Sequence, residues 1–321
     1  MVVGAGIVGL TAAVRLQQYG ARVTVLTADP APRLVSAVAA AVWYPTHTDA
    51  DPRVLRWAAA TLEEFSAQAA DGVPGVVLRR TRMLQRGPVA GLPWWAPAAG
   101  DVRALDASEP YTRELRFTVP LVEMVGYLDW LQQRIVAGGG RVVRRRVRSL
   151  DDLFAEAPVV VNATGLAAAA LCGDRAMFPV RGHIVLVANP GLDESVRDED
   201  DPAGITYVHP RSRDVVLGGT YEPGRADTLA DPEARDGILR RCIALVPALA
   251  GAPILGERIG LRPARHGGPR VEAEAREGGL LVHAYGHGGA GMTLSWGCAD
   301  EVCTLALTGR RKAPGQRADQ K

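Results

Sequence analysis

The chain opens on an apolar pair, Val2-Val3, then Gly4-Ala5-Gly6-Ile7-Val8-Gly9, then LTAAVRLQQY (10–19), whose apolar residues recur on one helical face. Gly20 stops that helix, and the β-branched run RVTVL (22–26) reads as a second strand. Residues 37–42 are small and apolar, a surface suited to packing against a flat ligand. Helical spacing returns over 57–70, with Leu62 and Phe65 inward, and over 122–136 around Tyr127, Leu128, Trp130 and Leu131. Three glycines, Gly138 to Gly140, close the latter. The stretch 72–118 is broken by Pro and Gly and reads as short strands and loops. Strands follow at 141–147 and 159–162, joined by a short helix near 150–155. Residues 180–275 look mainly β, with candidate strands at 183–187, 206–209 and 215–218 and one helix over 231–245. A last strand, 280–283, runs through a glycine-rich turn into a helix over 293–307, and the Arg/Lys/Gln/Pro-rich tail reads as frayed.

The elements suggest an α/β protein with a split dinucleotide-binding domain, made of residues 1–45, 122–180 and 278–310. A β-rich substrate domain, 46–121 and 181–277, is inserted between the pieces, and 311–321 forms a flexible tail.

Composition narrows the classes. Hydrophobic residues make up 47% and charged residues 22%, which excludes a disordered chain. The 37 basic residues nearly balance the 35 acidic ones, so charge gives no reason to expect nucleic acid or an anionic membrane as partner. No apolar run reaches the ~18 residues of a membrane span. The start has neither a basic n-region nor an apolar h-region. Cys172, Cys242, Cys298 and Cys303 form no Cys-x-x-Cys pair and no metal spacing, which fits reduced thiols in a cytoplasm and no metal site.

Gly4, Gly6 and Gly9 form G-x-G-x-x-G ahead of a helix. In this motif the first glycine makes the tight turn, the second admits a pyrophosphate and the third lets helix and strand pack. The helix N-terminus offers N–H groups and a positive dipole end to phosphates. Asp29, 20 residues after Gly9, stands where a ribose-binding carboxylate is expected, although it falls just past the strand, where a solvated loop residue fits equally well. Only Val2 and Val3 precede Gly4, short for a first strand; a protein starting here is expected to hold its cofactor less rigidly. His283 to Thr293 packs glycines directly before a helix, a backbone turn suited to close approach of a ligand. In GLRPAR (260–265) Arg262 presents a fork that suits a carboxylate, but spacing alone favours an exposed or ion-paired arginine.

These segments together resemble the D-amino-acid oxidase family of FAD flavoenzymes. The resemblance rests on VVGAGIVGL (2–10), VAAAVWYP (38–45), VNATG (161–165), PVRGHIVLV (179–187), TYVHP with VVLGGTYEPG (206–210, 215–224), GLRPAR (260–265) and HAYGHGGAGMTLSWGCADEVCTL (283–305). It implies a Rossmann-like FAD-binding domain and oxidative deamination of D-amino acids to α-keto acids, ammonia and H2O2, by hydride transfer from Cα to flavin N5 with O2 as acceptor. A related amine oxidase acting on glycine, sarcosine or another secondary amine is the alternative.

The same resemblance implies roles for residues. Arg262 and Tyr207 hold the substrate carboxylate, and the Gly289 carbonyl accepts from the amine. Gly4, Ala5, Gly6, Ile7, Val8 and Gly9 carry the pyrophosphate, Asp29 the ribose, and Val147 and Thr164 the adenine end. Ser36, Ala40, Ala41 and Val42 line the flavin, and Gly288, Gly289, Gly291, Met292 and Thr293 reach its ring, next to Arg262. Three departures stand out. Residues 197–202 form a short acidic stretch without the second tyrosine of the family's longer loop, which implies a more open pocket. Ala41 replaces a usual glycine, and Tyr221 stands where D-aspartate oxidases place an arginine. Neutral or basic D-amino acids are therefore expected, with a homodimer left open. His287 is expected to be a structural hydrogen-bonding group and Trp296 a packing residue.

Overall fold

The computed structural model describes residues 1–30, 33–45, 48 and 51–310. The expected tail, 311–321, lies outside them. Val2–Val3 is a two-residue strand, paired in parallel with Thr24–Thr27 on one side and Val159–Asn162 on the other. Met1 extends the pairing: its amine donates to the Val159 carbonyl at 2.6 Å, and its carbonyl accepts from Val161 N–H at 2.8 Å.

Around this strand runs a six-stranded sheet in the order Arg270–Arg276, Gly279–Tyr285, Val159–Asn162, Val2–Val3, Thr24–Thr27, Arg141–Arg144. The first pair is antiparallel and the rest are parallel. Helix Ile7–Gln18 buries Leu10, Ala13 and Val14 and packs against helices Gly291–Arg310 and Met124–Ala137. Arg270–Arg276 belongs to this sheet, so its third stretch begins ahead of residue 278. The sequence hides that strand because RVEAEAR alternates charge rather than apolar residues, as an edge strand does. Helix Pro52–Ala70 also starts earlier than the periodicity indicates. The Asp51 carboxylate accepts from Arg53 N–H at 2.7 Å and Pro52 supplies the first helical residue.

The second sheet has nine strands. Eight run in the order Glu222–Pro223, Met177–Ala188, Asp214–Gly218, Thr206–Pro210, Ser195–Asp198, Val76–Gln85, Arg113–Val122, Arg103–Asp106, and Ile254–Arg265 pairs with Met177–Ala188. Three expectations change here. The short strands of 72–118 include two ten-residue strands, Val76–Gln85 and Arg113–Val122, paired along their whole length. Their Pro and Gly breakers fall between them. Ile254–Arg265, interrupted in sequence by Gly256, Gly260 and Pro263, is a twelve-residue strand templated by Met177–Ala188. Ser195–Asp198 takes in the start of the acidic stretch, and Arg197 and Asp198 are buried.

Alternation decides the two faces of this sheet. Val185, Val187, Val208, Val215 and Leu217 pack under helix Pro232–Leu245 with Ile238 and Cys242. Ile184, Leu186, Tyr207 and Val216 face the other way and meet Val38 and Ala40. The second face closes over the first sheet, and the active-site cavity lies between them. All four cysteines are free, and no helix among the described residues is long and apolar enough to cross a membrane.

Candidate active site

A cavity of about 480 Å³ runs from the end of the Val2–Val3 strand to the second sheet. At one end, Gly4 turns the chain at φ +111°, and a Cβ there would meet the Ala163 carbonyl at 2.2 Å. Helix Ile7–Gln18 begins at once, with no side-chain cap from Gly6 and no acid in its first turn, so its N-terminus faces the cavity with its positive end unneutralised. The Ser36 hydroxyl accepts from Ile7 N–H at 3.0 Å and fixes this turn. Ala5, Ile7 and Val8 line the same end. Gly9 does not. A Cβ at Gly9 would lie 2.0 Å from the Gly4 carbonyl, so its role is to let helix and strand touch.

Asp29 lines the cavity just beyond Thr24–Thr27, and the Thr27 hydroxyl donates to its carbonyl at 2.7 Å. Arg33, Arg145 and Arg146 stand at this end as well, and sequence reasoning passed over all three. Val147 and Thr164 are here too; the Thr164 hydroxyl donates to Asn162 Oδ1 at 2.7 Å. Ala40, Ala41 and Val42 form a small-residue wall. Opposite them the turn Gly288–Ala290 leads into helix Gly291–Arg310, bringing Gly288, Gly289, Gly291, Met292 and Thr293 to the cavity. The Thr293 hydroxyl is occupied: it accepts from Tyr44 N–H and donates to the Tyr44 carbonyl, both at 3.0 Å. Bare turn, open helix N-terminus, carboxylate and small-residue wall in one channel fit a dinucleotide carrying a flat ring system.

The second sheet supplies the other end. Four adjacent strands run Thr206–Pro210, Asp214–Gly218, Met177–Ala188, Ile254–Arg265. Tyr207, on the first, lays its ring across Gly218 on the second: a Cβ at Gly218 would be 2.0 Å from the ring carbon that bears the hydroxyl. Arg262, on the fourth, lays its guanidinium across Gly182 on the third, where a Cβ would be 2.2 Å from Nη1. The two side chains lean toward each other over bare backbone.

Arg262 Nη1 donates to the carbonyls of Thr220 at 3.2 Å and Arg181 at 3.3 Å. Among the described residues no carboxylate pairs with it. A guanidinium held on backbone acceptors at a cavity, without a counter-charge, is poised for an anion. Burial pushes the Tyr207 phenol up, with Arg262 pulling the other way, so it stays a hydrogen-bond donor at neutral pH.

The histidines take no part as bases. His287 is buried, contacts Cys298 Sγ at 3.4 Å and is driven down to about 4 by desolvation, so it is neutral. His209 stacks on Tyr207 at 4.8 Å and is held well below its ordinary value, first by burial and then by Arg197. Trp296 is buried, its indole donating to the Tyr127 hydroxyl at 3.1 Å. No group of three or more possible metal ligands occurs among the described residues. Arg197, Glu199 and Tyr44 also line this end; the acidic run around residue 199 disguised the first two as solvated loop.

The architecture and site are those of a flavin-dependent oxidoreductase. Residues 1–305 match the FAD dependent oxidoreductase family, and the chain belongs to it. It is 48% identical over 312 residues to a D-amino-acid oxidase of Rubrobacter xylanophilus, an alignment covering 95% of each chain. It is 41% identical over 308 residues to a D-amino-acid oxidase of Streptomyces coelicolor, covering 95% of this chain and 96% of that one. Its fold is shared with glycine oxidase from Geobacillus kaustophilus, at a TM-score of 0.82 and 20% identity, over 96% of this chain and 94% of that one.

Proposed function

We propose that this protein is a D-amino-acid oxidase that converts a D-amino acid, O2 and water to an α-keto acid, ammonia and H2O2. The observation that carries this reading is Arg262: a guanidinium seated on backbone carbonyls, facing the cavity, with no carboxylate partner among the described residues. The names of the two relatives support it. Bound FAD supplies the acceptor for the hydride leaving the substrate Cα and passes the electron pair to O2.

The chain's own residues bind and align. Arg262 and the Tyr207 hydroxyl take the substrate carboxylate from two converging directions. The Gly289 carbonyl accepts from the substrate amine. Two anchors on one small molecule fix Cα relative to the wall of Ala40, Ala41 and Val42, and so fix which face of it is presented. Hydride loss from an amine-bearing carbon needs no side-chain base once the amine is neutral, consistent with the neutral, buried His287 and His209. The apolar cluster of Ile184, Leu186, Tyr207 and Val216 keeps water from this end. The Ile7–Gln18 helix start and Asp29 hold the pyrophosphate and ribose at the other end, and the catalytic protein resides in the cytoplasm.

Anaerobic mixing of the flavin-loaded protein with D- and L-amino acids, glycine and sarcosine tests the reading through flavin absorbance. Bleaching by D-amino acids and not their L-isomers is expected. Bleaching by glycine or sarcosine alone would replace this reading with that of a related amine oxidase.

A further inference from the structure

The cavity end that holds Arg262 contains a second arginine. Arg197 lies directly across the strand ladder from Tyr207, so both side chains leave the same face of the sheet one strand apart. Its side chain is 6% exposed, its guanidinium sits 3.7 Å above the Tyr44 ring, and its Nη2 is hydrogen-bonded to the Glu199 carboxylate. Arg197, Glu199 and Tyr44 all line the cavity, and Glu199 acts electrostatically on the Tyr44 phenol. The charges at this end are therefore Arg262, free for one carboxylate, and a closed pair that sums to zero.

We infer that Arg197 and Glu199 form a specificity latch for the substrate side chain, selecting D-amino acids whose side chains are uncharged. The inference rests on the proposed amino-acid oxidase reading. A side-chain carboxylate would have to share Arg197 with Glu199, placing two anions around one guanidinium in a site poor in water. A side-chain ammonium would face Arg197 in the same way. A neutral side chain leaves the pair closed. Glu199 is thus the element that keeps a buried arginine from recruiting dicarboxylic substrates.

The test compares the flavin-loaded wild type with Glu199→Gln and with the double variant Arg197→Met/Glu199→Gln. Glutamine keeps a hydrogen-bond acceptor for Arg197 and removes the competing charge. Two readouts are taken: kcat/KM for D-alanine, D-aspartate, D-glutamate and D-lysine, and binding of succinate against butyrate by perturbation of the flavin spectrum, which needs no turnover. The wild type should bind succinate no tighter than butyrate and oxidise D-alanine in preference to the three charged substrates. Glu199→Gln should tighten succinate binding about tenfold or more and raise the D-aspartate or D-glutamate to D-alanine ratio by a similar factor. The double variant should lose both gains. A wild type that handles D-aspartate as well as D-alanine, a Glu199→Gln protein with unchanged succinate affinity, or a double variant that retains the gain each overturns the latch. Should the wild type oxidise no D-amino acid, the oxidase reading fails, while the succinate titration still decides the latch.

Discussion

The guanidinium of Arg262 rests on the backbone of Gly182 so closely that a Cβ at Gly182 would lie 2.2 to 2.4 Å from its three terminal atoms. The arginine is aimed by the absence of a side chain on the neighbouring strand. Gly182→Ala should therefore push Arg262 off the Thr220 and Arg181 carbonyls without touching the cofactor end of the cavity. A misplacement of about 1 Å costs roughly 10²-fold in an aligned reaction. The expected result is a fall in kcat/KM for a D-amino acid of that order, carried mostly by KM, with flavin content unchanged. Normal kinetics in this variant would mean that Arg262 does not hold the substrate.

Removing the side chain is a sharper test of the same anchor. Arg262→Ala deletes the one cation at this end that lacks a carboxylate partner among the described residues. Losing one partner of a buried, hydrogen-bonded charge pair costs about 2–5 kcal/mol, so kcat/KM should fall by roughly 10²-fold or more. Arg262→Lys should recover little, because an ammonium cannot present the planar fork. Both proteins should purify yellow, since the pyrophosphate end lies on the other sheet. Steady-state kinetics with matched flavin absorbance checks this; a colourless Arg262→Ala protein would assign the arginine to cofactor retention instead.

How far the molecule could be read from its sequence depends on how local the cause was. The turn at Gly4 and the helix after it are dictated by neighbouring residues, and they appear where G-x-G-x-x-G puts them. Tyr207 and Arg262 were reached through family likeness. The geometry that joins them depends on Gly182 and Gly218, which converge only once four strands align. Arg197 was unreadable for the same reason. In the run Arg197-Asp198-Glu199-Asp200-Asp201 it looks solvated, and only pairing with Met83 and Tyr207 on either side buries it. The strand Ile254–Arg265 lacks an apolar alternation of its own and exists because Met177–Ala188 offers twelve residues of ladder.

Acid should weaken the fold before it protonates most carboxylates. His287 titrates near 4 in the folded protein against an ordinary 6.5, because burial disfavours its charged form. Between those values the unfolded chain binds more protons, so the stabilisation from neutral His287 is complete above pH 6.5 and is lost as pH falls toward 4. At pH 5 the loss from this one residue is about 2 kcal/mol. His209 and His283, also lowered by burial, act in the same direction. Urea unfolding at pH 7.5 and pH 5 should show the drop, and His287→Gln should reduce it by about that amount. A wild type equally stable at both values would show that the buried histidines are not held neutral.

Ala41 supplies the last prediction, on the flavin side of the cavity. It is the one non-glycine residue with positive φ among the described residues, at +55°, where a Cβ crowds the following carbonyl at a cost of about 1 kcal/mol. The conformation is imposed from both sides: the Ala41 carbonyl accepts from Val122 N–H at 2.9 Å, and Trp43 N–H donates to Pro120 at 2.8 Å. Ala41→Gly removes the crowding but gives the unfolded chain more freedom to lose, about 0.5–1 kcal/mol. The two effects nearly cancel, so its stability should stay within about 1 kcal/mol of the wild type. Ala41→Val places a β-branched residue where such residues are strongly disfavoured, beside the small-residue wall that faces the flavin. It should lose about 2 kcal/mol or more and release flavin more readily. Denaturant midpoints and flavin retained through gel filtration measure both. Equal behaviour of the glycine and valine variants would mean that the backbone here relaxes to negative φ, and that the strain assigned to Ala41 is not carried in solution.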